Sequence, residues 1–161
     1  MFIDTETTGF PRKDYRLCRC NIVEIGWAIT NSAGIILEEY YTCIKPVGFY
    51  ISRKSCHGIK HAYAMRYGKP IVETLHKFLD AVDSVDVIVG HNIQFDLRVI
   101  NNMLLKKGIN AVIDKEIQCT YKMSRKKLSV LYKELFDKDF DAHRVKEDIM
   151  ATLKCWQKLN Q

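Results

Sequence analysis

Apolar residues recur along this chain in two rhythms. In the first third, runs rich in β-branched and aromatic residues occupy positions 1–6, 22–30 and 35–44. Their length and composition predict strands. Asn31-Ser32-Ala33-Gly34 lies between the second and third runs and carries the residues of a tight turn, so these two should form a hairpin. Positions 11–20, rich in Arg, Lys and Cys, read as an exposed loop. Beyond residue 70 the rhythm becomes helical. Pro70 is placed to open a helix whose Ile71, Leu75, Phe78 and Val82 share one face. A short apolar strand runs from Val85 to Val89. A helix with Ile93, Leu97, Ile100 and Leu104 at helical spacing follows, ended by Gly108. Positions 112–119 read as another strand. Positions 127–136 and 144–158 read as helices, with apolar sets Leu128, Leu131, Tyr132, Leu135 and Val145, Ile149, Leu153, Trp156. A hairpin set followed by alternating strands and helices predicts one α/β domain over 1–161. Its mixed sheet should have about five strands, the first three antiparallel and the later ones parallel, flanked by helices.

Composition narrows the classes. With 161 residues, 47% hydrophobic and 27% charged, the chain can bury a core without disulfide staples. That excludes a disordered tail, a collagen-like rod and a disulfide miniprotein. Lysine plus arginine is 25 against 19 acids, a net charge of +6, which suits a polyanion such as nucleic acid or an anionic membrane surface. No apolar run approaches the roughly 20 residues that span a bilayer. Asp4 follows the start too closely for a secretory signal. Cys18, Cys20, Cys43, Cys56, Cys119 and Cys155 follow no secreted framework, so free thiols in an intracellular, reducing compartment (cytoplasm or nucleus) are expected, with no membrane partner. Cys18 and Cys20 with Cys56, His57 and His61 offer an alternative zinc site, without zinc-finger spacing.

Three polar clusters carry candidate chemistry. Asp4 and Glu6 stand two apart in a predicted strand, which places both on one face. Burying two neighbouring carboxylates is unfavourable without a cation; facing solvent, they would be ordinary. Thr7, Thr8 and Gly9 follow, a run that lets another backbone approach. His91-Asn92-Ile93-Gln94-Phe95-Asp96 sits where a strand hands over to a helix, a frequent site location in α/β proteins. Asn92 is placed to cap that helix, and Asp96 alone could simply complement its dipole. Asp148 lies in the last helix and His143 five residues before it. Five residues turn roughly 140° away on a helix, so His143 belongs to the entering loop, from which it can lean towards Asp148.

Together, Asp4-Thr5-Glu6-Thr7-Thr8-Gly9, His91-Asn92-x-x-Phe95-Asp96 and His143-x-x-x-x-Asp148 resemble the three motifs of the DEDDh family of 3′–5′ exonucleases, which includes polymerase proofreading subunits and three-prime repair exonucleases. Ile22 to Gly26, His57-Gly58-Ile59 and Leu128 to Leu135 resemble further segments of that family, so the likeness spans nearly the whole chain. Two features depart from it. Cys119-Thr120 replaces a common Asp-Thr, and only three residues precede Asp4.

The resemblance implies a ribonuclease H-like fold and release of nucleoside 5′-monophosphates from the 3′ end of single-stranded or frayed nucleic acid. It implies two Mg²⁺ or Mn²⁺ ions on Asp4, Glu6, Asp96 and Asp148, a set of hard oxygen ligands that suits such cations. It makes His143 the general base that takes the proton of the attacking water. It places Thr7, Thr8, Phe10, His57, Ile59, His91, Asn92 and Phe95 around the substrate. Phe10 is either a wedge against the bases or a core residue. Arg12, Lys13, Arg16, Arg19, Lys122, Arg125, Lys126 and Lys127 are candidate contacts to the phosphate backbone, or else an ordinary solvated face. DNA is the favoured substrate. The alternatives are an exoribonuclease, a non-catalytic nucleic-acid-binding subunit of a polymerase or other complex, and a nucleotide phosphatase. Homodimers occur in the family, but no residue here marks such an interface.

Overall fold

The strand-forming runs pair much as their order suggests. In the computed structural model, which describes residues 1–10 and 20–161, five strands form one sheet: β1 (Phe2–Thr7), β2 (Ile22–Thr30), β3 (Ile36–Cys43), β4 (Val87–Gly90) and β5 (Glu116–Cys119). The order across the sheet is β3-β2-β1-β4-β5. The first three strands are antiparallel, while β1–β4 and β4–β5 are parallel. The turn between β2 and β3 closes as expected: Asn31 Oδ1 accepts from the backbone N–H groups of Ala33 and Ile35, at 3.0 and 2.9 Å. The expected loop at 11–20, with Arg12, Lys13, Arg16, Cys18 and Arg19, lies outside the described residues except for Cys20.

Among the described residues, six helices cover the sheet: α1 (His61–Tyr67), α2 (Ile71–Asp83), α3 (Gln94–Lys106), α4 (Thr120–Ser124), α5 (Leu128–Phe136) and α6 (Val145–Leu159). Alternation along the strands sorts the two faces. Ile3, Ile25 and Trp27 point into the larger core with Leu75 and Phe78 of α2 and Ile100 and Leu104 of α3. Phe2, Ala28 and Val89 point the other way, against Val145, Ile149 and Leu153 of α6. Phe2 meets Trp156 edge-on at 5.7 Å between ring centroids. Position 4 and position 6 share the face of position 2. The fold therefore presents Asp4 and Glu6 towards α6.

The last strand is shorter than the pattern over 112–119 suggests. Its partner β4 has only four residues, and the pairing stops at Val87 with Glu116. Val112, left without a partner strand, is 86% exposed. Helix α1 has no counterpart in the periodicity, because Ala64 is its one buried residue. Among the described residues, Cys43, Cys56, Cys119 and Cys155 are free thiols, as expected. Of the zinc alternative, Cys18 lies outside the described residues, and Cys20, Cys56, His57 and His61 form no metal-holding group among them. No helix among the described residues is long and apolar enough to cross a membrane.

Candidate active site

Three elements bring carboxylates to one place. Gly26 of β2 sits opposite Asp4 in the sheet. A Cβ there would lie 2.7 Å from Val145 Cγ1 and 2.5 Å from the Tyr41 ring. Glycine thus lets the first turn of α6 settle on the strands, and that turn carries Asp148. One ligand atom from each of Asp4, Glu6 and Asp148 falls in a group with all separations within 4.8 Å.

Asp96 arrives from the opposite side. Beyond Phe2, β1 has no residue paired with β4, so the Thr5 N–H on that edge needs an acceptor. Asp96, 3% exposed in the first turn of α3, supplies it. Its Oδ1 accepts from Thr5 N at 3.0 Å and from Thr5 Oγ1 at 2.7 Å. Asn92 does not cap α3 as expected. It stands before the N-cap, Ile93, in a left-handed conformation with φ of 60°, and its carbonyl accepts from Phe95 N. Asp96 instead occupies the first turn, where a negative charge suits the helix dipole.

The electrostatics of the cluster follow from burial and like charge. Burial, followed by the charges of Asp96, Asp148 and Glu6, drives the Asp4 carboxyl well above the usual carboxylate range. Burial and then Asp148 push Glu6 up to about 7, with Arg144 pulling the other way. Burial pushes Asp96 to about 7 against the hydrogen bonds of Thr5. Asp148 rises to about 6, also through burial, against the N–H groups that it accepts. At about 4 Å, like charges repel by roughly 4 kcal/mol at an effective dielectric of 20. Arg144, the guanidinium that pulls on Glu6, is already committed: its Nη2 and Nε bind Glu24 at 2.8 and 3.2 Å. A cluster of this kind fits hard divalent cations, whose oxygen coordination suits carboxylates.

His143 lies in the loop entering α6, as its spacing predicts. Its φ of 70° is left-handed, and its ring is exposed. The backbone N–H groups of His143 and Arg144 both donate to Asp148 Oδ2, at 2.8 and 3.0 Å. Loop and carboxylate are therefore locked together. His143 and Asp148 border a cleft of about 610 Å³ that also reaches His91, Asn92, Tyr121 and Ser129.

The other expected contacts surround this centre. Phe10 is 87% exposed, so it is not a core residue. Its ring meets Phe95 edge-on at 6.1 Å. Thr7 Oγ1 donates to Gly9 O, and Thr8 Oγ1 accepts from Asn21 N, fixing the turn that carries Phe10. His57 and Ile59 are buried, at 4% and 7% exposure. The Ile59 N–H donates to His57 Nδ1, which places the proton of the neutral ring on Nε2. That buried Nε2 has no hydrogen-bond partner among the described residues. Burial lowers the His57 pKa and pushes that of His91 down to about 4, so both rings are neutral at physiological pH. His91 Nδ1 lies 2.9 Å from Thr120 Oγ1, next to Cys119, the residue that departs from the family's Asp-Thr. Of the basic candidates, Lys126 is paired with Glu134.

Glu24, Arg144, Thr5 and Thr120 were not singled out as site residues by sequence. A buried acid in an otherwise apolar strand (Ile22-Val23-Glu24-Ile25) was the available signal for Glu24. Arg144 stood between His143 and the helix with nothing to name its partner.

Comparison with known proteins identifies the family and the fold. Residues 1–155 match the RNase T family, described as exonuclease. A sequence search of curated proteins gives no match. Among solved structures, the chain resembles the zinc-bound complex of E. coli exonuclease I with single-stranded DNA, with a TM-score of 0.76, 19% identity, and coverage of 98% of this chain and 39% of that one. E. coli exonuclease I with a 5cy-dT13 oligonucleotide gives 0.76 at 16% identity, covering 99% and 40%. Exonuclease I of Methylocaldum szegediense gives 0.71 at 18%, covering 98% and 39%. The chain spans about two fifths of the length of these proteins, and the likeness establishes a shared fold.

Proposed function

The chain belongs to the RNase T exonuclease family, and on that premise we propose that it is a metal-dependent 3′–5′ exonuclease. It would remove nucleoside 5′-monophosphates from the 3′ end of single-stranded or frayed nucleic acid, DNA by preference. The observation that carries this reading is the meeting of Asp4, Glu6 and Asp148 within 4.8 Å, with Asp96 beside them and His143 tied to Asp148. The exonuclease I structures that it resembles hold dT13 and dA16 oligonucleotides, which favours single-stranded DNA and tolerance of base identity.

Asp4, Glu6, Asp96 and Asp148 would hold two Mg²⁺ or Mn²⁺ ions. Such ions neutralise phosphate charge and lower the pKa of bound water. The remaining work falls to the protein. His143, exposed at the mouth of the cleft, accepts the proton of the attacking water, and the Asp148 carboxylate holds its backbone in place. Phe10, projecting and backed by Phe95, offers an aromatic face to the terminal base; stacking of this kind contributes about 1–3 kcal/mol per base and is largely blind to sequence. His57 Nε2–H is a buried donor awaiting an acceptor, and the sugar or phosphate of a bound terminal nucleotide would provide one. His91, neutral and held by Thr120, with Asn92 beside it, lines the wall past which the strand leaves.

The direct experiment gives the protein Mg²⁺ or Mn²⁺ with matched single-stranded DNA and RNA labelled at the 5′ end. A ladder shortening from the 3′ end, faster on DNA, is expected, with chromatography identifying 5′-monophosphates. A faster RNA ladder would move the substrate to RNA. Full activity in EDTA would overturn the metal-dependent reading.

A further inference from the structure

Between residues 40 and 72 the chain contains no aspartate or glutamate, but it does contain Lys45, Arg53, Lys54, Lys60, Arg66 and Lys69. None of these six cations pairs with an acid among the described residues. The middle of this stretch folds around a hollow of about 550 Å³ whose lining includes Tyr50, Arg53, Ile59, Lys60 and His61, a volume in the range of ligand sites. The hollow shares no lining residue with the cleft bordered by His143 and Asp148, and none of the four clustered carboxylates lines it.

Tyr50 is built as a platform. Its ring lies over His61 at 4.5 Å between centroids and 31° between planes. His61 is itself fixed, because its Nδ1 accepts from Ile51 N at 3.3 Å. One face of Tyr50 is thus backed by a held imidazole, while the residue stays 62% exposed. Arg53 and Lys60 flank it, both exposed. An exposed aromatic ring in an acid-free, cationic setting is the combination that binds single-stranded nucleic acid.

We propose that this hollow is a second contact site for single-stranded nucleic acid, outside the reaction cleft. A base stacks on the free face of Tyr50, and the neighbouring phosphates meet Arg53 and Lys60. The site rests on the exonuclease reading only for the identity of its ligand. It would make affinity depend on strand length, since a dinucleotide that fills the cleft does not reach it.

The test measures binding of fluorescent oligothymidylates, two and about 20 nucleotides long, to Asp148→Ala protein in Mg²⁺. Into that background go Tyr50→Ala, or Arg53→Glu with Lys60→Glu. Tyr50→Ala should weaken the long strand roughly tenfold. The double charge reversal should weaken it further and flatten its salt dependence by about 1.4 in the log–log slope, as for two lost phosphate contacts. Dinucleotide binding should not change. In the otherwise wild-type chain, neither change should alter dinucleotide cleavage, and melting curves of these exposed-residue variants check folding. Unchanged long-strand affinity in both variants would overturn the proposal. So would an equal loss on the dinucleotide, which would place Tyr50 in the cleft, or a polyglutamate peptide displacing the long strand at lower concentration, which would assign the hollow to an acidic protein. If the wild-type chain cleaves neither length, the exonuclease reading fails, and the binding result still decides the hollow.

Discussion

Arg144 couples two parts of the candidate site. Its guanidinium grips Glu24, its backbone N–H donates to Asp148, and the next residue's N–H, from Val145, also reaches Glu24 at 3.2 Å. Replacing it with alanine leaves Glu24, 5% exposed, as an unpaired acid beside Glu6. Losing one partner of a fully buried pair costs several kcal/mol, but the Arg144 side chain is 47% exposed, so we expect Arg144→Ala to destabilise by about 1–2 kcal/mol. Turnover should fall as well, because the loop carrying His143 loses its anchor. Adding Glu24→Gln should restore stability in urea titration without restoring turnover; no loss from Arg144→Ala alone would contradict this role. His143→Ala should cut turnover at least a hundredfold while oligonucleotide affinity persists. Wild-type turnover in that variant would remove His143 from the chemistry. The five proposed site positions, Asp4, Glu6, Asp96, His143 and Asp148, are legible as candidates in sequence because each lies in a short run whose neighbours suggest its setting. The Glu24–Arg144 pair was not, because its members stand 120 residues apart and only the fold joins them.

At the scale of elements, the site depends on how closely α6 can lie on the sheet. Gly26 sets that distance, which yields a prediction about packing rather than chemistry. A Cβ at position 26 meets Val145, Tyr41 and the Tyr40 carbonyl oxygen, all under 3.0 Å. Gly26→Ala should therefore destabilise the protein by about 1–3 kcal/mol, read as a lower urea midpoint at unchanged slope. It should also weaken the response to metal, because Asp148 moves with α6. A variant as stable and as metal-responsive as the wild type would show that the helix approach is not limiting. The main strands and the helices α2, α3, α5 and α6 were legible from periodicity, since each buries one face. The short helices were not: α1 buries Ala64 and α4 buries Thr120, too few residues to set a period. The extra strand length at 112–115 was over-read, because apolar residues there imply pairing that a four-residue β4 cannot provide.

Across the whole molecule, acid clustering and surface charge work in opposite directions. The net charge of +6 averages over a centre where four acids crowd together. With their folded pKa values raised, Glu6 to about 7 and Asp148 to about 6, these groups bind more protons folded than unfolded. The metal-free protein should therefore lose stability as pH rises from about 4 to about 7. Millimolar Mg²⁺ at pH 7.5 should raise the melting temperature, and Asp148→Ala should blunt both effects. A metal-free stability that increases steadily over that range, with no response to Mg²⁺, would contradict the raised cluster.

The central claim is that these carboxylates and His143 hydrolyse nucleic acid from its 3′ end. It is tested most directly by incubating single-stranded DNA labelled at the 5′ end with the wild-type and Asp148→Ala proteins in Mg²⁺ and resolving the products by length. The account predicts a ladder shortening from the 3′ end with the wild type and intact substrate with the variant. Immediate release of short 5′-labelled fragments by the wild type, or equal degradation by both proteins, would contradict it.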